Sequence, residues 1–302
     1  MKELRIFDVS TFVHAGKVNR HSFLSPPLVE VDDQFVEKRI YTGGVSLLWN
    51  TLYEVYGTCD LAFCMDTKPT IKQDMFDGYK ATREHNHEVW RQKRAMEYIL
   101  RDCGLEVLIE DGYEADDFIY SLVQDKKHEY DQIYIYTADS DLYFLVDDNV
   151  TILPSSSRAK KVTKENYTYT AGKKDTYIPY NATTFLKILG GDTSDNIPPL
   201  NPELSYRIRK AYYTDLYFDL LGDKETLRSI FSRFGDEALA QCELVLPLDV
   251  RTPSSFALGD KLRIAEWGNA VKNKLWRNNQ PLSQHIKDSI LEMSNLDLCA
   301  DK

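Results

Sequence analysis

The chain has 302 residues, 43% hydrophobic and 28% charged, which is the composition of a globular protein with one large or two modest domains and excludes a disordered or fibrous chain. Its net charge of −10 argues against nucleic-acid binding through a general basic excess, unless bound cations reverse the local field around clustered acids. Five scattered cysteines, no apolar signal segment and no stretch that could cross a bilayer lead us to expect a cytoplasmic protein with free thiols and no membrane partner.

The first predicted elements are a strand, a helical segment and a second strand. Leu4 to Val9 is a short apolar run with Asp8 near its end, as in a buried strand. Apolar residues at helical spacing from 33 to 56, interrupted by Gly43-Gly44, predict a helix pair or a kinked helix. The apolar run 61–65 predicts another buried strand, which leads directly to Asp66.

The next segment, residues 69–88, is polar, basic and aromatic and has no firm period. It predicts an exposed, mobile excursion that contains Tyr79, Lys80 and Arg83. On charge alone, a solvated face is the favoured interpretation. Beside a metal site, the same residues would instead clamp phosphate oxygens and stack a base.

Strands and helices then alternate along the chain. We expect helices at 89–103 and 114–123, and strands at 105–109 and 132–137. This alternation predicts an α/β fold with a mainly parallel central sheet flanked by helices. Ligands of such sheets bind outside the carboxyl ends of the strands, where the predicted strands place the separated acids Asp8, Asp66, Asp139 and Asp141.

Two acidic motifs carry most of the chemical information. Glu114-Ala-Asp116-Asp117 opens a predicted helix, and Asp139-Ser-Asp141 follows the fourth predicted strand. One acid is enough to cap a helix or start a turn, so three acids in four positions exceed that need. Hard cations such as Mg²⁺ and Mn²⁺ take oxygen ligands, and neither motif contains His or Cys. The motifs therefore predict metal-dependent phosphate chemistry.

The composition and the hydrophobic pattern of the chain change near residue 150. The polar, basic stretch 155–174 predicts a hairpin or loop, 183–191 a helix, and the remainder is mostly helical. Gly190-Gly-Asp192-Thr-Ser-Asp195 is, by itself, a helix stop and turn. Its two acids, three positions apart, can also face one ion.

In this order the motifs resemble those of the 5′ nuclease superfamily, which includes flap endonucleases, the 5′ nuclease domain of bacterial DNA polymerase I and phage 5′→3′ exonucleases. The resemblance covers roughly residues 4 to 200. It is carried by Asp8, Asp66, Gly78-Tyr79-Lys80 with Arg83, Glu114-Ala-Asp116-Asp117, Thr137-Ala-Asp139-Ser-Asp141-Leu142 and Gly191-Asp192-Thr-Ser-Asp195-Asn196.

The resemblance implies two Mg²⁺ ions, for which Mn²⁺ can substitute, in a PIN-like core. Two such ions activate a water and stabilise the leaving oxygen of a phosphodiester, giving 5′-phosphate and 3′-hydroxyl ends. The implied ligands of one ion are Asp8, Asp66, Glu114 and Asp116, with Asp117 nearby, and those of the other are Asp139, Asp141, Asp192 and Asp195.

It also implies a domain organisation and partners. Residues 1–180 would form the nuclease core, with Lys80 and Arg83 in a helical arch (about 69–100) through which a 5′ single strand passes. Residues 181–302 would form a helical DNA-binding region that contacts phosphates through Arg207, Arg209 and Lys210. The implied partners are DNA with a 5′ flap or 5′ end, RNA–DNA hybrids, and a single-stranded-DNA-binding protein or other replication protein.

The chain departs from the family's pattern after Asp195. There the family usually has a glycine-rich hairpin that holds duplex DNA through main-chain N–H groups and often a K⁺ ion, whereas this chain has Pro198, Pro199 and Pro202 and no glycine. Proline has no N–H to donate, so the binding of duplex DNA and any dependence on K⁺ are expected to differ from those of the family. Similar remodelling in some phage members favours a phage-type enzyme that removes RNA primers or 5′ flaps.

Two other interpretations stay open. A PIN-type ribonuclease shares the parallel core, but the acids at 192 and 195 and the basic segment argue against it. A binding or scaffold protein that has lost catalysis need not keep nine acidic residues at these positions.

Overall fold

The computed structural model describes residues 1–16, 43–83, 86–154, 161–164, 182–212, 223–272 and 283–295, with short strand segments between some of these ranges. The strands are β1 (Glu3–Asp8), β2 (Phe23–Leu24), β3 (Val29–Val31), β4 (Gln34–Val36), β5 (Ile40–Tyr41), β6 (Asp60–Cys64), β7 (Val107–Leu108), β8 (Gln132–Tyr136), β9 (Val150–Leu153), β10 (Thr168–Thr170) and β11 (Tyr177–Pro179). The helices are α1 (Val9–Gly16), α2 (Gly43–Val55), α3 (Thr70–Met75), α4 (His87–Asp102), α5 (Ala115–Lys126), α6 (Thr183–Gly190), α7 (Pro202–Tyr212), α8 (Lys224–Ser232), α9 (Asp236–Val245), α10 (Lys261–Lys272) and α11 (Gln284–Asn295), and a 3₁₀ helix spans Ser140–Leu145.

The central sheet is parallel and has the order β7-β6-β1-β8-β9. This arrangement confirms the α/β prediction. Because all these strands run the same way, their carboxyl ends form one edge, from which Asp8 projects as the last residue of β1. The remaining short strands pair antiparallel, β2 with β5, β3 with β4, and β10 with β11.

Helices cover both faces of the sheet. Successive side chains of a strand point to opposite faces, and those of β1 are buried on both. Leu4 and Ile6 of β1 pack in a core with α5, whereas Phe7 points to the opposite core, to which α1, α2, α4, α10 and α11 contribute. The Phe7 ring stacks on Phe63 of β6 and Tyr136 of β8, with centroids 4.8 and 4.6 Å apart. The aromatic row therefore ties together the three strands that carry the acids.

The C-terminal part of the described chain is helical, as predicted. Buried residues of α6, α7, α8 and α9 form a separate apolar cluster that includes Phe185 and Phe231. The domain boundary near residue 180 stays a prediction. None of the helices in the described ranges is long and apolar enough to cross a membrane.

The predicted helix pair at 33–56 is wrong in its first half. Residues 34–36 and 40–41 are short strands, and Gly43-Gly44 begins α2 instead of interrupting a helix. The predicted hairpin or loop at 155–174 lies largely outside the described residues.

The segment predicted as an exposed excursion is instead partly buried. Residues 70–75 form α3, turns follow, and Tyr79 is only 2% exposed. The predicted arch, about 69–100, also includes α4, whose Met96 and Ile99 are buried in the core. Residues 84 and 85, between the turns and α4, lie outside the described part of the chain. The burial of residues 70–83 could not be predicted from periodicity, because Tyr79 and Lys72 are buried by their contacts with Glu114.

Gly44 is required where α1 and α2 pack together, and this contact gives a first prediction. A Cβ at Gly44 would lie 2.8 Å from Val13 Cα and 2.9 Å from the Phe12 carbonyl oxygen, and neither backbone atom can move aside easily. We expect Gly44→Ala to lower the free energy of unfolding by about 1–3 kcal/mol in urea denaturation. The control is Gly190→Ala, because no atom lies within 4 Å of the added Cβ and alanine favours helix. Equal denaturation midpoints for the two variants would contradict this packing.

Candidate active site

A cleft of about 1880 Å³ opens at the carboxyl edge of the parallel sheet. Eight of the nine acids predicted from sequence line it, and they come from positions far apart in the chain. They are Asp8, Asp66, Glu114, Asp116, Asp139, Asp141, Asp192 and Asp195.

Asp8 is 5% exposed and is held by two hydroxyl groups. Thr11 Oγ1 donates to its carboxylate at 2.6 Å and Thr137 Oγ1 at 2.8 Å. Burial and the neighbouring charge of Asp66 nevertheless raise the pKa of Asp8. Threonines on α1 and after β8 thus fix the carboxylate at the centre of the sheet edge.

Asp66 follows β6 and pairs with a lysine of α4. Lys93 Nζ lies 2.7 Å from its carboxylate, the Ala115 N–H donates at 2.9 Å, and the Ser10 hydroxyl donates as well. Burial acts to raise the pKa of Asp66, but Lys93 and these donors bring it below its usual value.

Glu114 immediately precedes α5 and contacts three side chains from the segment 70–83. The Tyr79 hydroxyl donates to it at 2.7 Å, Lys80 forms an ion pair with it, and Lys72 Nζ lies at 3.5 Å. Burial opposes ionisation, but the two lysines bring the pKa of Glu114 below its usual value. This pairing explains why the segment lies against the cleft.

Asp116, the second residue of the same helix, has no compensating partner among the described residues. Among the described residues no hydrogen-bond donor or cation is paired with its carboxylate. Burial and the charges of Asp139 and Asp8 raise its pKa well above the usual value. Without a cation beside it this buried carboxyl favours its neutral form, and a bound cation would favour its ionised form.

The acids after β8 are joined to α6 by a lysine. Asp139 caps the 3₁₀ helix by accepting the Asp141 N–H at 2.9 Å. Lys187 forms ion pairs with both Asp141 and Asp192, the latter at 2.6 Å. Burial and the charge of Asp139 nevertheless raise the pKa of Asp141 to about 6.

Asp195 lies in a tight turn, and the segment containing Lys80 packs against it. The Arg83 guanidinium is 2.7 Å from the Asp195 carboxylate, and the Tyr79 hydroxyl donates to it at 3.2 Å. The Lys80 N–H donates to the Asp195 carbonyl at 2.9 Å. Lys80 and Asn196 have φ values of 53° and 61°, and this left-handed conformation is unusual for residues other than glycine. Both residues are held in it by contacts between the two segments.

The structure places Asp117 and Tyr79 differently from the expectation. Asp117 is fully buried, does not line the cleft, and accepts main-chain N–H groups from Glu114 and Leu248. Tyr79 is buried through its contacts with acids, so its ring is not available to stack on a base. Three basic residues predicted to contact phosphates are exposed on α7 and do not line the cleft, namely Arg207, Arg209 and Lys210.

Sequence reasoning predicted Lys80 in the site but missed the other lysines that neutralise the acids, Lys72, Lys93 and Lys187. Lys187 had a detectable signal, because it is the single charge in the otherwise apolar α6 sequence Thr-Thr-Phe-Leu-Lys-Ile-Leu-Gly. Lys93 lies in a basic stretch with Arg91 and Arg94, and neither Lys93 nor Lys72 has a sequence pattern that distinguishes it. Both pairings depend on tertiary contacts.

The cleft fits a hard divalent cation by its donors, although no ligand set is preformed. Its acids offer only oxygen ligands, which such ions prefer. Among the described residues no three acidic, His or Cys side chains are arranged to hold one ion. Lysine ammonium groups lie between these acids instead, on Asp66, Glu114 and Asp141. An ion that binds through Asp66, Glu114 or Asp141 would therefore require the lysine there to release its acid.

Comparisons with known proteins agree on one family. The family model of the 5′-3′ exonuclease N-terminal resolvase-like domain matches residues 20–172. A 5′-3′ exonuclease of Aquifex aeolicus is 27% identical over 216 residues, which are 70% of each chain. DNA polymerase I of Caldicellulosiruptor bescii is 29% identical over 65% of this chain, which spans only 24% of that polymerase.

Solved structures share the fold. The T5 5′-exonuclease with bound divalent zinc ions aligns over 97% of this chain and 100% of its own, with a TM-score of 0.51 and 15% identity. A T5 protein co-crystallised with metal ions gives a TM-score of 0.52 over the same shares of the two chains, also at 15% identity.

The bridging lysine gives a second prediction. Lys187→Met leaves Asp141 and Asp192 without their cation, so we expect a loss of about 1–3 kcal/mol in the free energy of unfolding in buffer with EDTA. Lys164→Met is the matched control, because Lys164 pairs with Asp148 on the exposed surface and should leave the melting temperature unchanged. An unchanged melting temperature for Lys187→Met would show that this ion pair does not stabilise the site.

Proposed function

The chain belongs to the family of the 5′-3′ exonuclease N-terminal resolvase-like domain, and from that membership and the geometry of the cleft we propose that it is a structure-selective, divalent-metal-dependent nuclease. It hydrolyses phosphodiester bonds near the 5′ ends of nucleic acids, as a 5′→3′ exonuclease or flap endonuclease. The products carry 5′-phosphate and 3′-hydroxyl ends.

The convergence of eight carboxylates in one cleft is the observation that carries this proposal. Acids far apart in sequence meet there, and the carboxyl group of Asp116 lies among other acids with no cation paired to it in the described residues. When bound, a pair of Mg²⁺ ions, or Mn²⁺ in their place, supplies an activated water and stabilises charge on the leaving oxygen. The proposed ligands are Asp8, Asp66, Glu114 and Asp116 for one ion and Asp139, Asp141, Asp192 and Asp195 for the other.

The basic residues of the cleft have a second role in this proposal. Lys80 Nζ lies against Glu114 and 3.5 Å from Asp195, so it stands between the two proposed ligand groups. With metal ions held by these acids, Lys80 and Arg83 would be available to bind a phosphate oxygen. Arg83, whose side chain is 55% exposed, is placed to contact the phosphate from the open side.

The proposed substrates are DNA with a 5′ flap or 5′ end and RNA–DNA hybrids, in primer or flap removal during replication. The names of the relatives, 5′-3′ exonuclease and DNA polymerase I, support this role. The proline-containing segment after Asp195, which replaces the usual glycine-rich hairpin, is the reason for proposing a phage-type enzyme. The exposed basic residues of α7 are proposed to contact duplex phosphates, and a single-stranded-DNA-binding protein or other replication protein is the proposed partner.

A labelled-substrate assay tests the proposal. A 5′-flapped duplex and an RNA-primed nicked duplex, labelled at either end, are incubated with Mg²⁺ or with EDTA. We expect Mg²⁺-dependent release of short 5′ products whose lengths distinguish exonuclease from flap cleavage. Binding without cleavage under Mg²⁺ or Mn²⁺ would favour a non-catalytic protein, and cleavage of single-stranded RNA alone would favour a PIN-type ribonuclease.

Asp139→Asn gives the third prediction. The amide keeps the acceptor that caps the 3₁₀ helix but loses the charge needed to hold a metal ion. We expect cleavage to fall by about 1000-fold or more while DNA binding in a gel-shift assay persists. The matched control is Asp148→Asn, at an exposed acid outside the cleft, which should cleave normally. Normal cleavage by Asp139→Asn would overturn the proposed ligand set.

Lys80→Ala gives the fourth prediction. Without the ammonium group the scissile phosphate loses a cationic contact, so single-turnover cleavage should slow by about 100-fold or more with little change in DNA affinity. Arg101→Ala, at an exposed α4 residue that does not line the cleft, serves as the control. An unchanged rate for Lys80→Ala would place this lysine outside the chemistry.

A further inference from the structure

An extended stretch between α9 and α10 runs along α5 and is hydrogen-bonded to it at regular intervals. We refer to residues 246–254 as the connector. The Leu248 N–H donates to Asp117 at 2.6 Å, the Val250 N–H donates to Ser121 at 3.1 Å, and the Thr252 hydroxyl donates to Asp125. Three consecutive side chains on one face of α5 thus hold every second residue of the connector.

The spacing of these contacts follows from the geometry of the two elements. Acceptors four residues apart on a helix are about 6 Å apart along its axis. Alternate residues of an extended chain are about 6.6 Å apart, so the two repeats stay in register over three contacts. The repeated hydrogen bonding thus joins residues 117, 121 and 125 of α5 to residues 248, 250 and 252 of the connector.

Asp117 differs from Ser121 and Asp125 because it also accepts a hydrogen bond from the main chain at the start of α5. Its second carboxylate oxygen accepts the Glu114 N–H at 2.8 Å, and the residue is fully buried. Glu114 and Asp116, on either side of this bond, line the cleft. On the connector side, Pro247 precedes the bonded residue and lines the cleft as well.

We infer that Asp117 is a positioning residue, which fixes the proposed ligands Glu114 and Asp116 by tying the first turn of α5 to the connector. Only a carboxylate serves here without loss, because it accepts two N–H groups and donates none. Both oxygens are therefore engaged away from the cleft, which is why we do not assign Asp117 as a metal ligand. The inference rests on the proposed nuclease function for its effect on rate, but the bonds themselves can be tested without activity.

The experiment compares Asp117→Asn with Ser121→Ala, which removes the neighbouring connector bond but no bond at the α5 start. We expect Asp117→Asn to lower kcat on a 5′-flapped duplex by about tenfold or more, because the proposed ligands Glu114 and Asp116 are displaced. The variant should still fold, and its KM should be unchanged. Ser121→Ala should keep kcat within about twofold of the unaltered protein. If both variants lose kcat equally, or if Asp117→Asn cleaves normally, the inference is overturned.

Amide hydrogen exchange provides the readout that does not depend on cleavage. In the unaltered protein, the amide of Leu248 should be protected equally with and without saturating Mg²⁺, and Asp117→Asn should speed exchange at 248 and 114. Loss of protection on adding Mg²⁺ would mean that Asp117 turns to the ion as a ligand, which overturns the inference. If the unaltered protein does not cleave, the proposed function fails, while the exchange data still decide whether the bonds of Asp117 exist.

Discussion

Mutual repulsion among the carboxylates at the sheet edge is the constraint on which the rest of the site depends. At about 4 Å, two like charges near a protein surface repel by roughly 4 kcal/mol, so eight acids in one cleft require compensation. The compensation comes from Lys72 of α3, Lys80 of the following turn, Lys93 of α4 and Lys187 of α6. Segments distant in sequence are thus drawn together by charge as well as by apolar packing.

This compensation has a consequence for the proposed chemistry. The lysines hold the acids in place when no ion is bound, and in the proposed enzyme they would become cationic contacts for phosphate once an ion takes over the acids. The left-handed backbone at Lys80 supports this view, since a strained residue is retained where surrounding contacts determine its position. Lys80 is held by a main-chain bond to Asp195 on one side and by Glu114 on the other.

Much of the fold was predictable because local patterns determine it. The apolar runs ending at Asp8 and before Asp66 and Asp139 specify parallel strands, and parallel strands must bring those acids to one edge. The predicted helix at 33–56 failed in its first half because periodicity alone cannot distinguish short strands from a broken helix. The ordering of residues 70–83 could not be predicted, since it depends on Tyr79 and Lys72 reaching Glu114 across the fold.

The central claim is that the acidic cleft binds divalent ions in exchange for its lysines. Titration of the protein with Mn²⁺, followed by electron paramagnetic resonance of the free ion, measures this directly. The account predicts saturable binding of two ions and a weakened or lost site in Asp116→Asn, at the acid that has no cation paired to it in the described structure. No saturable binding, or identical binding by the protein and the variant, would contradict it.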